Sequence, residues 1–179
     1  MQRMTDRTFY FAYGSNMAVE RLRARVPSAS LVGTAVLGGH ALRFDKPGSN
    51  DGTAKCDAAY TGNAADSVLG ALYSIDAGEL PLLDRFEGVG HGYVRKIVSV
   101  VTASGEAVQA EIYIATHSGA DLRPLDWYKE HVLRGARALQ LPLAYIATIE
   151  AVAADIDADE ERRSRELSIY GMTAARPLE

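Results

Sequence analysis

The chain has little of what marks several large protein classes. Among its 179 residues there is one cysteine, Cys56, so an internal disulfide cannot form, and no Cys and His residues have the spacing of a zinc site. It has no basic run and a net charge of −4, which gives no attraction to nucleic acid or to an anionic membrane. No apolar stretch approaches the roughly 20 residues of a membrane span, and the first seven residues are polar, unlike a signal peptide. These absences predict a cytoplasmic protein without metal, nucleic-acid or membrane partners.

What the chain does have is enough apolar sequence for one domain, with 47% hydrophobic residues and 23% charged residues. Short apolar or alternating stretches predict strands at residues 8–13, 30–37, 40–45, 56–61, 67–75, 93–102 and 107–116. Helical spacing predicts helices after residue 16, over about 77–86, from Asp126 and from Ile146. This order predicts a single α+β domain over 1–179, with a mixed or antiparallel sheet curled around a core at about 8–152. The charge-rich residues 155–179 are predicted to be a solvated tail.

Two segments carry candidate chemistry. The first is Tyr10–Met17, where a hydrophobic strand runs into a Gly-Ser-Asn turn and then a helix, which Ser15 or Asn16 can cap. Backbone N–H groups of such a turn can bind an oxygen anion. The second is Leu83–Val89, in which the Glu87 carboxylate ends an apolar helical stripe. Together, a donor-rich turn and one half-buried glutamate suit acyl transfer without a metal or a nucleophilic serine.

Details of neighbouring segments support these assignments. Asp76 and Glu79 have the spacing of a capping box before the second helix, Pro81 makes its first turn irregular, and Gly88 suits its end. In the last predicted strand four apolar residues alternate with Gln109, Glu111 and Tyr113, so one face is predicted to be buried. The glycine-rich stretches 47–52 and 88–92 are predicted to be mobile loops.

Plainer interpretations of the same residues stay open at this stage. Glu87 can simply pair at a helix end with Arg85 or Lys96, and the Gly-Ser-Asn turn can be only a capped strand–helix connection. Tyr128 lies on an apolar helical face, where a core tyrosine is the ordinary interpretation. Cys56 is expected to be a buried small residue and His91 an exposed loop residue.

Three segments in order resemble the gamma-glutamylcyclotransferase family. They are Tyr10–Asn16, Leu83–Val89 with Gly92-Tyr93 behind it, and Trp127–Lys129 followed by Gly135-Ala136, Leu141–Leu143 and Tyr145-Ile146. The resemblance covers roughly residues 8–152. It implies a small β-barrel-like α+β fold with flanking helices, and an enzyme that releases 5-oxoproline from a gamma-glutamyl amide without any cofactor.

The resemblance also implies roles for particular residues and for partners. Glu87 matches the catalytic glutamate, acting as general acid and base. Substrate contacts are implied for Tyr10, Phe11, Ala12, Tyr13, Gly14, Ser15, Asn16, Tyr93 and Tyr128. The implied partner is a small gamma-glutamyl substrate, either an amino acid or an amine derivative, and a homodimer is one implied assembly. The loops at 47–52 and 88–92 are expected on the leaving-group side. The alternative is a non-catalytic module that binds gamma-glutamyl ligands or regulates through them.

Overall fold

The computed structural model describes residues 6–171, so the predictions for residues 1–5 and 172–179 lie outside the described residues. Residues 6–171 form seven strands: β1 (Arg7–Ala12), β2 (Ser30–Gly38), β3 (His40–Pro47), β4 (Ala54–Tyr60), β5 (Ser67–Asp76), β6 (Tyr93–Thr102) and β7 (Ala107–Ala115). The α-helices are α1 (Val19–Arg25), α2 (Leu80–Glu87), α3 (Asp126–Ala138), α4 (Leu143–Glu150) and α5 (Glu160–Leu167). Short 3₁₀ turns cover Ser15–Met17, Ala77–Glu79 and Ser168–Tyr170. The predicted α+β class and the strand positions are confirmed.

A closed barrel of five strands, in the order β1-β5-β2-β6-β7, forms the centre of the fold. Four of its pairings are antiparallel, and β1 closes it by pairing in parallel with β7 at Tyr10 and Glu111. β3 and β4 form a separate two-stranded antiparallel sheet. The strand that leads into the Gly-Ser-Asn turn therefore lies between β5 and β7, inside a continuous hydrogen-bonded wall.

The core fills the barrel and the space between the barrel and helix α3. Among its largest fully buried side chains are Tyr73, Phe11, Met17, Leu22, Leu72, Ile75, Leu83 and Ile112. Tyr73 donates its hydroxyl hydrogen to the Met17 carbonyl over 2.9 Å, which satisfies a polar group inside the core. This hydrogen bond therefore connects the turn after β1 to the core of the barrel.

All but one of the local signals around α2 act as predicted. The Asp76 side chain accepts the Gly78 N–H at 2.9 Å and so caps the 3₁₀ turn that precedes the helix. Pro81 then lies in the first turn of α2, where its missing N–H costs no hydrogen bond. Gly88 ends the helix with a left-handed φ of 65°. Glu79 does not complete the capping box, because its carboxylate accepts hydrogen bonds from Ser28 instead.

Residues 155–171 are mostly exposed, as their charge pattern predicts, but they are also anchored to other elements. The buried Asp157 carboxylate accepts the indole N–H of Trp127 at 2.8 Å and two hydrogen bonds from Arg162, each 2.6 Å long. Farther along α5, Glu166 pairs with Arg21 of α1 at 2.8 Å. These contacts hold α5 against α1 and α3, so it is part of the domain. Within residues 6–171 no helix combines the length and apolar character needed to cross a membrane.

Candidate active site

The turn after β1 leaves two backbone N–H groups without a hydrogen bond inside the turn. Its first internal hydrogen bond runs from the Met17 N–H to the Gly14 carbonyl at 3.0 Å, so the N–H groups of Ser15 and Asn16 have no carbonyl before them in the turn. Gly14 also lets two neighbours approach. A Cβ at position 14 would lie 3.0 Å from the Cys56 Cβ and 3.5 Å from the Tyr128 hydroxyl oxygen.

Neither Ser15 nor Asn16 caps helix α1, contrary to the expectation from sequence, because the helix begins after Ala18 without a side-chain cap. The buried Asn16 amide turns to the pocket instead. Its Nδ2 donates to Glu87 Oε1 at 2.7 Å and approaches the Tyr10 hydroxyl at 3.1 Å. This orientation of Asn16 is possible because residues Ser15–Met17 form a separate 3₁₀ turn before helix α1 starts.

Glu87, the last residue of α2, is brought to this turn across 71 residues of sequence. Its Oε1 accepts hydrogen bonds from Asn16 and, at 3.4 Å, from Arg25 of α1. The side chain is only 15% exposed. Among residues 6–171 no hydrogen bond or ion pair is made to the other oxygen, Oε2. One oxygen thus fixes the orientation of the carboxyl group, and the other stays available.

Arg25 is therefore the charged partner of Glu87. The simpler interpretation, a pair with Arg85 or Lys96, is wrong about the partner. The apolar helical stripe that Glu87 ends does not surround its carboxyl group. Leu83 is buried in the core, whereas Phe86 is 55% exposed and stacks its ring on the Arg25 guanidinium group at 5.2 Å. The surroundings of the carboxyl group are tyrosines and an amide.

A pocket of about 300 Å³, open to solvent, unites most of the predicted site residues. Its walls are formed by Tyr10, Tyr13, Gly14, Ser15, Asn16, Cys56, Glu87, Tyr93, Tyr113 and Tyr128. Phe11 and Ala12 do not line it, since both are buried in the core on β1. A role of those two in substrate binding stays a prediction. His91 is exposed in its loop, as expected.

Buried phenols dominate the pocket walls and are anchored to the backbone. Tyr93 donates to the Cys56 carbonyl at 2.6 Å, and Tyr128 accepts the Cys56 N–H at 2.9 Å. Tyr13 donates to the Tyr113 carbonyl at 2.5 Å. Burial, with a smaller contribution from the Glu87 charge, raises the pKa of Tyr13, Tyr93 and Tyr128 well above the usual value. These phenols stay neutral and keep the pocket rigid.

Replacing Tyr128 with phenylalanine tests this anchoring. The change leaves the buried N–H of Cys56 without its acceptor, so we expect a loss of about 1–3 kcal/mol in the free energy of unfolding. The control is Tyr145→Phe, because the Tyr145 phenol bonds to the backbone of Leu69 outside the pocket. Urea denaturation of both variants measures the loss of stability, which can then be separated from any loss of turnover. We expect the Tyr128 variant to lose turnover as well and the Tyr145 variant to keep it. Equal turnover of the two variants would contradict a role of Tyr128 in the pocket.

Sequence reasoning missed three residues of the site. Tyr113 was expected on the outer face of β7, but it is buried and donates to Asp84 of α2 at 2.8 Å, because α2 covers that end of the strand. Arg25 gave no signal beyond a basic residue at a helix end. Cys56 was correctly expected to be buried, but its position in the pocket wall was not foreseen. Burial raises the pKa of its thiol to about 12, so it is not a ready nucleophile.

A second, larger chamber of about 1210 Å³ opens from the pocket and shares Ser15, Glu87, Tyr93 and Tyr128 with it. Loop residues 48–51 and Gly88 line this outer chamber, and the place of both loops on the leaving-group side stays a prediction. Arg162, Arg165 and Glu166 of α5 complete its rim. Within residues 6–171 no three His, Cys, Asp or Glu side chains are arranged to hold a metal ion.

Comparison with known proteins identifies relatives over most of the chain. The sequence is 33% identical to gamma-glutamylcyclotransferase of Homo sapiens over 151 residues, which is 80% of this chain and 77% of that protein. It is 32% identical to the Bos taurus protein of the same name over the same shares. The chain belongs to the gamma-glutamylcyclotransferase family. It is therefore an enzyme of this type.

Two further comparisons agree with this family. The AIG2-like family profile matches residues 67–149. A solved structure named gamma-glutamyl cyclotransferase superposes with a TM-score of 0.78 at 26% identity, covering 89% of this chain and 99% of that one. The barrel and its flanking helices are thus the fold of gamma-glutamylcyclotransferases.

Proposed function

We propose that this enzyme releases 5-oxoproline from a gamma-glutamyl amide, with Glu87 as general acid and base. The observation that carries the proposal is the Glu87 carboxyl group. One oxygen accepts from Asn16 and Arg25, and the other accepts no hydrogen bond from residues 6–171, beside a pocket that opens on the turn after β1. A single oriented carboxyl group suits a reaction in which the substrate supplies its own nucleophile.

The proposed reaction begins with the glutamyl α-ammonium group. Glu87 takes one proton from it, and the resulting amine attacks the γ-carbonyl carbon. Closing a five-membered ring in this way has the advantage of proximity, with effective molarities of about 10⁵ M or more. The C–N bond to the leaving amine then breaks as Glu87 returns the proton to that nitrogen, and the ring nitrogen gives up its second proton through Glu87 to the released amine, which leaves as an ammonium ion. The products are 5-oxoproline and a free amine.

The turn and the phenols have supporting roles in this proposal. The N–H groups of Ser15 and Asn16 bind either the developing oxyanion or the α-carboxylate of the substrate. The neutral hydroxyls of Tyr10, Tyr93 and Tyr128 narrow the pocket around the glutamyl group. The leaving amine then extends into the outer chamber, because that is where the pocket opens beyond Glu87 and Tyr93.

A substrate panel tests the proposal directly. Incubated with gamma-glutamyl-alanine and other gamma-glutamyl compounds, without added metal or cofactor, the protein is expected to form 5-oxoproline and free amine in equal amounts. Liquid chromatography with mass spectrometry measures both products. Binding of these compounds in calorimetry without any product would instead favour the non-catalytic module. Cytoplasmic location and a homodimer stay predictions.

A further inference from the structure

Arg21 of helix α1 connects the turn after β1 to two other helices. Its Nε atom donates a hydrogen bond to the Ser15 hydroxyl at 3.2 Å. Side chains of a helix lean toward its N-terminus, so Arg21 in the first turn of α1 reaches back to the 3₁₀ turn before the helix. The Arg21 side chain is 11% exposed and Ser15 is 8% exposed. This hydrogen bond therefore lies largely out of water, where a charged donor is most effective.

The other end of the Arg21 guanidinium group faces one acceptor on α5 and one on α3. Its Nη1 donates to Glu166 Oε2 at 2.8 Å and lies 3.1 Å from Nε2 of His131, which is fully buried. Burial lowers the pKa of the His131 imidazole, which keeps the ring neutral. Because an arginine only donates hydrogen bonds, Nε2 of His131 is the acceptor, and its protonated Nδ1 donates to the Tyr170 hydroxyl.

Helix α5 is thus anchored in two separate ways. Arg163 of α5 donates to the Asp126 carboxylate of α3 at 2.5 Å, and that contact ends on α3. The second anchor runs from Glu166 to Arg21 and continues from Arg21 to Ser15. Ser15 belongs to the wall of the inner pocket. The second anchor therefore links the C-terminal helix to the turn that is proposed to hold the substrate.

We propose that Arg21 is a positioning residue for the reaction, which fixes Ser15 and with it the direction of the backbone N–H groups of the turn, and that Glu166 holds Arg21 in place for this. The inference rests on the proposed function and adds the C-terminal helix to the parts of the chain on which turnover depends. Backbone donors stabilise an oxyanion or carboxylate effectively only when their direction is fixed in advance. A displacement of about 1 Å can cost on the order of 100-fold in rate.

Three single variants remove the links of this path one at a time. Ser15→Ala removes the hydroxyl and keeps the backbone N–H, while Arg21→Met and Glu166→Met keep the approximate length of the side chain. We expect Ser15→Ala and Arg21→Met to lower kcat/KM for 5-oxoproline release from gamma-glutamyl-alanine by about tenfold, the effect of losing a hydrogen bond to a charged group. Glu166→Met should lower it by about threefold, because His131 still accepts from Arg21.

The same substitutions in a Ser15→Ala background distinguish positioning from a general loss of stability. If Arg21 and Glu166 act through the Ser15 hydroxyl, adding Arg21→Met or Glu166→Met there should change kcat/KM by less than about twofold, the usual limit of non-additivity between independent sites. A helix that only stabilises the domain would give the same loss with or without that hydroxyl. All rates are measured per folded protein, at a temperature below the unfolding transition of each variant.

Arg163→Gln is the matched control, because it removes the other anchor of α5 without touching Arg21. It should keep the wild-type kcat/KM.

The outcomes separate this inference from the function on which it rests. Undiminished losses for Arg21→Met and Glu166→Met in the Ser15→Ala background would overturn the inference, and so would a Ser15→Ala enzyme with wild-type kcat/KM. Either result leaves 5-oxoproline release by the wild-type enzyme intact. If Arg21→Met does not fold, the comparison of Ser15→Ala with Glu166→Met decides alone. Absence of 5-oxoproline from the wild-type enzyme would overturn the proposed function together with the inference.

Discussion

Glu87→Gln is expected to fold normally and to lose 5-oxoproline release by about 10³-fold, since a positioned general acid or base contributes about 10²–10⁴-fold. Glutamine keeps a carbonyl oxygen that can accept from Asn16 and Arg25, so the local hydrogen bonds survive. It cannot accept the proton of the α-ammonium group. The measurement is single-turnover formation of 5-oxoproline from gamma-glutamyl-alanine.

The control for this variant is Glu106→Gln, in the exposed β6–β7 turn and outside the pocket. Both variants should unfold at the wild-type temperature within about 3 °C, the shift expected for an effect below 1 kcal/mol. A Glu87→Gln enzyme that retains more than a tenth of wild-type turnover would remove Glu87 from the mechanism. The turn and the phenols would then have to account for the rate.

Gly135→Ala is expected to be the most damaging single-methyl change described here. A Cβ at this position would lie 2.4 Å from the Met17 Cβ and 2.6 Å from the Ala18 backbone nitrogen, so α3 or the 3₁₀ turn must move. Overpacking of this kind costs about 1–3 kcal/mol, which exceeds the gain of about 1 kcal/mol that alanine brings to a helix. Because Ser15 and Asn16 precede Met17, turnover should fall more than the loss of folded protein explains.

Gly38→Ala is the matched control, since a Cβ there meets no atom within 4 Å. It should leave both the unfolding temperature and turnover at wild-type values. The two variants are compared by thermal unfolding and by kcat at a temperature where both are folded. A Gly135→Ala protein as stable and active as Gly38→Ala would show that the contact of α3 with the turn is not required.

The parts of the fold that sequence could predict are those with local causes. The Asp76 cap, the irregular turn before Pro81 and the stop at Gly88 depend on residues within a few positions of each other. The β6–β7 hairpin follows from alternation and a short turn. Barrel closure was beyond pattern reasoning, because the pairing of β1 with β7 joins residues about a hundred positions apart.

The candidate site also has parts that sequence could predict and parts that it could not. The turn at 14–16 and Glu87 were found from local pattern and family resemblance, and the structure brings them together in one pocket. Arg25 and Tyr113 were missed because each contacts the site through a partner distant in sequence. At residues 155–171 the charge pattern correctly indicates an exposed surface, but it does not indicate the contacts of this segment with Trp127 and Arg21, which are distant in sequence.

The closed barrel has a consequence for how activity arises during folding. The residues that line the pocket are as far apart in sequence as Tyr10 and Tyr128. Strand β1 can pair on its second edge only when β7 is present. No fragment that stops before α3 contains a whole pocket. Recovery of catalysis after dilution from denaturant would therefore report the completed molecule, and intrinsic fluorescence from Trp127, docked on Asp157, would report the arrival of the C-terminal segment separately.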